Sequence, residues 1–73
     1  MTYYAIRNKK TRQYIGGTDF SYKDGKPRQI PSSSLRPPRL FSGAELNAEI
    51  RIRRINLKYY EVVAVEVRQK EQI

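Results

Sequence analysis

The sequence predicts an α+β fold: a small antiparallel three-stranded sheet in the order ββ-loop-α-β, with one helix on one face and a long Pro/Gly-rich loop. Three observations carry that expectation. Strand-forming residues open the chain at Tyr3-Tyr4-Ala5-Ile6 and dominate it again from Tyr59 to Arg68. A helix-start signature stands at Phe41-Ser42 with Glu45 and Leu46 following. All four prolines and three of the four glycines fall between Gly16 and Phe41. The 73 residues make one small domain, divided into a hairpin (2–15), a basic loop (16–41), a helix (42–56) and a strand (59–68).

In the hairpin, Tyr3, Tyr4, Ala5 and Ile6 and then Tyr14 and Ile15 form the strands, with Asn8-Lys9-Lys10-Thr11 as a tight turn. No Gly occupies the left-handed position of that turn. Arg12 or a neighbour takes it, so a longer or bulged loop fits equally. In the loop, Asp24-Gly25 is a favoured turn around which Phe20 to Tyr22 and Arg28 to Ile30 can pair. Disorder is the competing reading of this stretch, opposed by the apolar anchors Phe20, Tyr22, Ile30, Leu35, Leu40 and Phe41.

The helix begins at a capping box, Ser42 with Glu45, and Phe41 against Leu46 supplies a hydrophobic staple. At about 100° per residue, Ala44, Ala48, Ile52 and Ile55 share one stripe and Leu46, Ile50 and Leu57 a second. Arg51, Arg54, Lys58 and Asn47 fall between the stripes. Glu45, Glu49 and Arg53 lie opposite, with Glu49 and Arg53 an i,i+4 pair. The helix should stop near Asn56, although the alternation Glu49-Ile50-Arg51-Ile52-Arg53 also fits a strand. In the last strand, Tyr60, Val62 and Ala64 share one face and Val63, Val65 and Val67 the other, as in a strand covered on both sides. Residues 69–73 should fray. A lone hairpin is marginal in water, so this strand and the helix are what make the fold possible.

Composition removes most function classes. With no Cys and no His, disulfides, zinc, haem and iron–sulfur sites lose their usual ligands, and the commonest general base is missing. Ser32, Ser33 and Ser34 have no His to activate them, and the seven carboxylates show no metal-ligand spacing. No enzyme activity, cofactor or metal is expected. The longest apolar run is Val62 to Val65, far short of the roughly 20 residues of a membrane span. The opening ten residues are polar and aromatic where a signal peptide would be apolar. A cytoplasmic protein without a membrane partner is the resulting expectation.

Charge points to the partner. Residues 1–39 hold nine Lys or Arg against two Asp, a balance of +7, whereas residues 40–73 hold six against five. Such a field suits a polyanion or an acidic protein surface, and salt would weaken the attraction. Three basic sets stand out. Arg7, Lys9, Lys10 and Arg12 surround the first turn near Tyr14, combining phosphate contacts with an aromatic face for an unpaired base. Lys23, Lys26, Arg28, Arg36 and Arg39 populate the loop, and Arg51, Arg54 and Lys58 form a ridge on the helix. A solvated hairpin tip, a mobile loop and a solvated helix face explain the same residues without function. Leu35 to Leu40, centred on Pro37-Pro38, reads as a rigid lead-in to the helix or as a polyproline turn offered to an aromatic groove. Gly16-Gly17 lacks the pattern of a phosphate-binding loop.

The segments Tyr3-Tyr4-Ala5-Ile6-Arg7-Asn8-Lys9-Lys10-Thr11, Tyr14-Ile15, Gly17-Thr18-Asp19-Phe20, Arg36-Pro37-Pro38, Arg54-Ile55-Asn56-Leu57 and Tyr60-Glu61-Val62-Val63 resemble small uncharacterised proteins encoded by bacteriophages of Gram-positive bacteria. The likeness covers most of the chain in short motifs and brings no catalytic residues with it. Arg12-Gln13 departs from the Gly expected soon after the Lys-Lys-Thr turn. The resemblance implies a non-enzymatic binder acting in the bacterial host cell. The charge balance and the tyrosines make nucleic acid or a host nucleoprotein complex the expected partner; the resemblance implies the alternative, an inhibitor of a host protein such as a defence nuclease, in the manner of an anti-CRISPR.

Overall fold

The computed structural model describes residues 1–66. In chain order it contains β1 (Thr2–Asn8), β2 (Ile15–Asp19), β3 (Arg28–Pro31), α1 (Leu46–Ile52) and β4 (Tyr60–Glu66). The α+β class stands, but the expected three-stranded sheet does not: the strands form two separate antiparallel pairs, β1 with β4 and β2 with β3. The end of the expected last strand, residues 67 and 68, and the expected fraying of 69–73 lie outside the described residues.

The first turn explains how β1 ends. Asn8 Oδ1 accepts hydrogen bonds from the Lys10 and Thr11 amides at 2.8 and 3.0 Å, and the Asn8 carbonyl accepts from Arg12 N at 2.9 Å. Arg12 takes the left-handed conformation, φ 66°, which a Gly would adopt without steric cost. The hairpin then lasts for a single bridge, Arg7 with Tyr14. Beyond it β2 turns away from β1 through an irregularity between Ile15 and Gly17. Gly16 permits this bend: a Cβ there would stand 2.8 Å from Arg36 Cγ and 3.0 Å from Ser32 Cα. The strand expected to complete the sheet is thereby diverted to β3, with Thr18 opposite Gln29 and Asp19 opposite Arg28.

β1 is consequently the spine of the molecule. One edge carries β4, from Thr2 opposite Glu66 to Asn8 opposite Tyr60. The other edge is shared between Tyr14 at one end and Phe41 at the other, where Tyr4 and Phe41 exchange two backbone bonds of 2.8 Å. Pro37 and Pro38 lead into that pairing, and Arg39 N donates to the Ile15 carbonyl at 2.9 Å. The loop is therefore held chiefly by backbone bonds: of the expected apolar anchors only Phe41 is buried and Ile30 half-buried, while Phe20, Tyr22, Leu35 and Leu40 are exposed. Its pairing sits at Ile15–Asp19 rather than at Phe20 to Tyr22. Asp19 Oδ1 accepts from the amide and hydroxyl of Ser21, ending β2 in an Asx turn.

The helix is shorter than expected. The chain begins to coil at Ser42, whose carbonyl accepts from Leu46 N at 3.1 Å. Half of the capping box forms: Glu45 Oε1 accepts from Ser42 N at 3.0 Å, while no side chain caps the helix amides. α1 ends before Asn56. Arg54 adopts φ 50°, and the amides of Arg54 and Ile55 bond back to the carbonyls of Arg51 and Ile50, a termination pattern that normally employs Gly at the left-handed position. The buried face also differs from the expected stripes. Leu46, Glu49, Ile50 and Arg53 turn inward at i, i+3, i+4 and i+7, whereas Ala44, Ala48 and Ile52 are exposed.

Ile6, Ile15, Phe41 and Ile55 make the core, with Leu46, Ile50 and Tyr60 packed against it. Arg53, placed on the solvent arc by periodicity, is instead buried. Its Nε bonds Glu49 at 2.7 Å, its Nη1 bonds Thr18 Oγ1 at 2.9 Å, and its guanidinium lies 5.4 Å from the Phe41 ring centroid. Thr18 Oγ1 donates to Gln29 Oε1, and Gln29 Nε2 donates to the Arg53 carbonyl, both at 2.7 Å. This closed ring fastens the β2–β3 sheet to the helix end. β4 is covered on one face only: Glu61, Val63 and Val65 are half-buried, and Val62 and Ala64 face solvent.

Candidate nucleic-acid interface

Ion pairing sorts the basic residues into two groups. Arg7 bonds Glu61 through Nη2 at 2.6 Å and Nε at 3.2 Å, and Arg12 stands 3.6 Å from the same carboxylate. The Arg7 bond, aided by the charges of Arg12 and Lys9, holds the Glu61 carboxyl below the usual carboxylate range, while Glu61 raises the Arg7 guanidinium. Arg28 pairs with Asp24 at 3.0 Å and Arg53 with Glu49 at 2.7 Å. Asp24 and Asp19 are also held low, chiefly by the Lys26 amide and the Ser21 hydroxyl respectively. Nine cations have no carboxylate at ion-pair distance among the described residues: Lys9, Lys10, Lys23, Lys26, Lys58, Arg36, Arg39, Arg51 and Arg54. All nine are exposed.

Three of these converge. Lys9 and Lys10 on the first turn line a cleft of about 360 Å³ together with Lys58, Tyr59 and Tyr60, with Asn8 and Thr11 also bordering it. The Lys9 amide donates to the Tyr59 carbonyl at 2.9 Å, and Lys9 Nζ to the Leu57 carbonyl at 3.1 Å, so the two walls are joined by backbone. Lys58 N donates to Asn56 Oδ1, fixing a second turn. The expected helix ridge therefore does not form: of Arg51, Arg54 and Lys58 only Arg51 lies in α1, which ends at Ile52, Arg54 sits in the terminating turn at φ 50°, and the following turns carry Lys58 to the hairpin tip. Tyr59, read from sequence as the start of a strand, stands outside β4 with 56% of its surface exposed. The signal that would have found it is the Lys58-Tyr59 pair itself, a cation beside an aromatic next to a turn.

The remaining candidates divide. Tyr14 is half-buried with Arg7 5.8 Å from its ring centroid, so it is part of the sheet packing rather than a stacking face. Exposed Phe20 and Tyr22 share the 20–27 loop with Lys23 and Lys26, and Arg28 lies 4.7 Å from the Tyr22 ring centroid. The Arg36 stem crosses Gly16 and Gly17, where a Cβ on Gly17 would be 3.3 Å from Nη1. Arg39 approaches the Phe41 ring at 6.0 Å. Pro37, Pro38 and Leu40 line a second, apolar cleft of about 410 Å³ with Ala5, Tyr14 and Val65, consistent with their use as a lead-in to the Phe41 pairing.

Among the described residues no helix is long and apolar enough to cross a membrane, and no three carboxylates converge as metal ligands would. Compared with protein-family models, curated proteins and solved structures, the chain matches none.

Proposed function

We propose that this protein is a non-enzymatic binder of nucleic acid, free or within a nucleoprotein complex, acting in the cytoplasm of a bacterial host cell. The observation that carries the reading is the set of nine exposed cations without carboxylate partners among the described residues. Among the described residues, fold-internal ion pairs engage four arginines: Arg7 and Arg12 on Glu61 of β4, Arg28 on Asp24 and Arg53 on Glu49. The others do nothing for the fold through ion pairing, and phosphates are the partners that cations of this density attract. Exposed aromatics interleave with them at Tyr22 and Tyr59, as on surfaces that stack unpaired bases. Fluorescence anisotropy with labelled single- and double-stranded DNA and RNA, titrated over salt, tests the reading. Binding whose logarithm falls linearly with the logarithm of salt supports it; absence of binding to every probe at low salt overturns it.

A second reading has one observation in its favour. β4 is paired on one edge only among the described residues, and an open edge with exposed Val62 suits addition of a strand from another protein. Under this reading the protein inhibits a host protein such as a defence nuclease. A pull-down from nuclease-treated bacterial lysate separates the two: a stoichiometric protein that survives the nuclease supports the inhibitor, and loss of all partners supports nucleic acid.

A further inference from the structure

The cleft beside the first turn has a composition that the general basic surface lacks. Its lining brings Lys10, Lys58 and Tyr59 into one cleft, and its volume of about 360 Å³ falls in the range of about 300–1,000 Å³ typical of small-ligand sites. Tyr59 is 56% exposed yet held in place, because its carbonyl accepts from Lys9 N at 2.9 Å, its amide donates to the Asn56 carbonyl at 3.0 Å, and Lys58 Nζ stands 5.7 Å from its ring centroid. Lys9 Nζ is engaged with the Leu57 carbonyl, which leaves Lys10 and Lys58 as the ammonium groups of the cleft without a carboxylate partner among the described residues. An exposed ring sharing a cleft with two cations suits one repeat of a nucleic-acid strand, a base with its flanking phosphates. In a duplex the base faces are already stacked on their neighbours, so the ring has nothing to offer there.

Resting on the nucleic-acid reading above, we propose that this cleft is a subsite for single-stranded nucleic acid, in which an unpaired base stacks on Tyr59 while Lys10 and Lys58 hold the flanking phosphates. The test measures anisotropy of short labelled oligothymidine, oligouridine and a duplex of equal length with wild type, Tyr59→Leu and Tyr59→Phe. Tyr59→Leu is expected to weaken binding to the single strands by about 5- to 100-fold and to leave the duplex unaffected, with Tyr59→Phe near wild type. Lys10→Gln and Lys58→Gln are each expected to lower the single-strand salt slope by about 0.7. Equal behaviour of oligothymidine and oligouridine assigns the recognition to the base face, and a preference for one assigns the discrimination to the 2′-hydroxyl or the thymine methyl, which oligodeoxyuridine separates; both uphold the subsite. If wild type binds but Tyr59→Leu changes single strand and duplex alike, or changes neither, the subsite is wrong and the basic surface still stands. If wild type binds no probe at low salt, the nucleic-acid reading itself fails. Thermal unfolding of each variant confirms that the exposed substitutions leave the fold intact.

Discussion

Truncating Arg53 to Ala should be far more damaging than its place among the basic residues suggests. The change removes a charge-assisted bond to Glu49 at 2.7 Å, which contributes about 1.5–3 kcal/mol. It removes the bond to Thr18 Oγ1 at 2.9 Å, about 1 kcal/mol, and the approach to Phe41 at 5.4 Å, about 0.5–1 kcal/mol. The pair is not a surface pair: the side chains are 10% and 26% exposed, so Glu49 is left partly desolvated without its cation. Because these interactions share one guanidinium they do not add fully, and a cost of about 3 kcal/mol is expected. A domain of this size has roughly 4–11 kcal/mol in total, and the melting temperature should fall by about 12–24 °C. Circular-dichroism melts at neutral pH measure this, with Arg51→Ala on the exposed face as the control, expected within about 0.5 kcal/mol of wild type. If Arg53→Ala melts together with Arg51→Ala, the buried ring does not hold the β2–β3 sheet to the helix end.

Arg54→Gly should raise stability by about 0.5–1 kcal/mol, since φ 50° suits Gly better than any residue with a Cβ; a lowered melting temperature would contradict the terminating motif. Ser42→Ala should cost less than about 0.5 kcal/mol, while Glu45→Ala, which loses the bond to Ser42 N, should cost about 0.5–1 kcal/mol; chemical denaturation of both variants checks the order. Glu61, Asp19 and Asp24 have folded values below their unfolded ones, so the unfolded chain binds more protons as acid is added. Their contribution is present in full above about pH 4–5 and is lost as pH falls through the depressed folded values. Melting temperature should therefore drop in acid, and Glu61→Gln, which carries no titrating group, should flatten part of that drop.

The strands at the chain ends and the start of the helix were legible because each rests on local chemistry: β-branched and aromatic runs for β1 and β4, and Ser42 with Glu45 beside Phe41 for the coil. The left-handed role of Arg12 was legible as a missing Gly. What failed was non-local. Gly16-Gly17 and Pro31 read as loop residues, yet they sit in or beside a real ladder, because Gly16 is required by the passage of Ser32 and Arg36. The helix face was misread because the stripe was drawn from apolar residues alone, whereas Arg53 buries a long stem and satisfies its head through Glu49 and Thr18. The site was half legible. Lys9 and Lys10 were found, but Lys58 was assigned to the helix and Tyr59 to a strand, since nothing local shows that two turns bring them to the same cleft.

The register of β1 with β4 has a consequence for the order of events in synthesis. Thr2 meets Glu66 and Asn8 meets Tyr60, so every rung joins residues 52 to 64 positions apart. Closing a loop of that size costs about 1.6 kcal/mol more than closing one of ten residues, and within this ladder no shorter rung shares the cost; only the Tyr4–Phe41 bridge on the opposite edge shortens the span. A nascent chain that has reached Asn56 already presents Tyr4 and Ile6 but lacks the strand that covers them along that edge. Pairing along this edge is thereby deferred until residues 60–66 have been made, and until then that edge of β1 stays open to whatever holds unfolded chains in the cell.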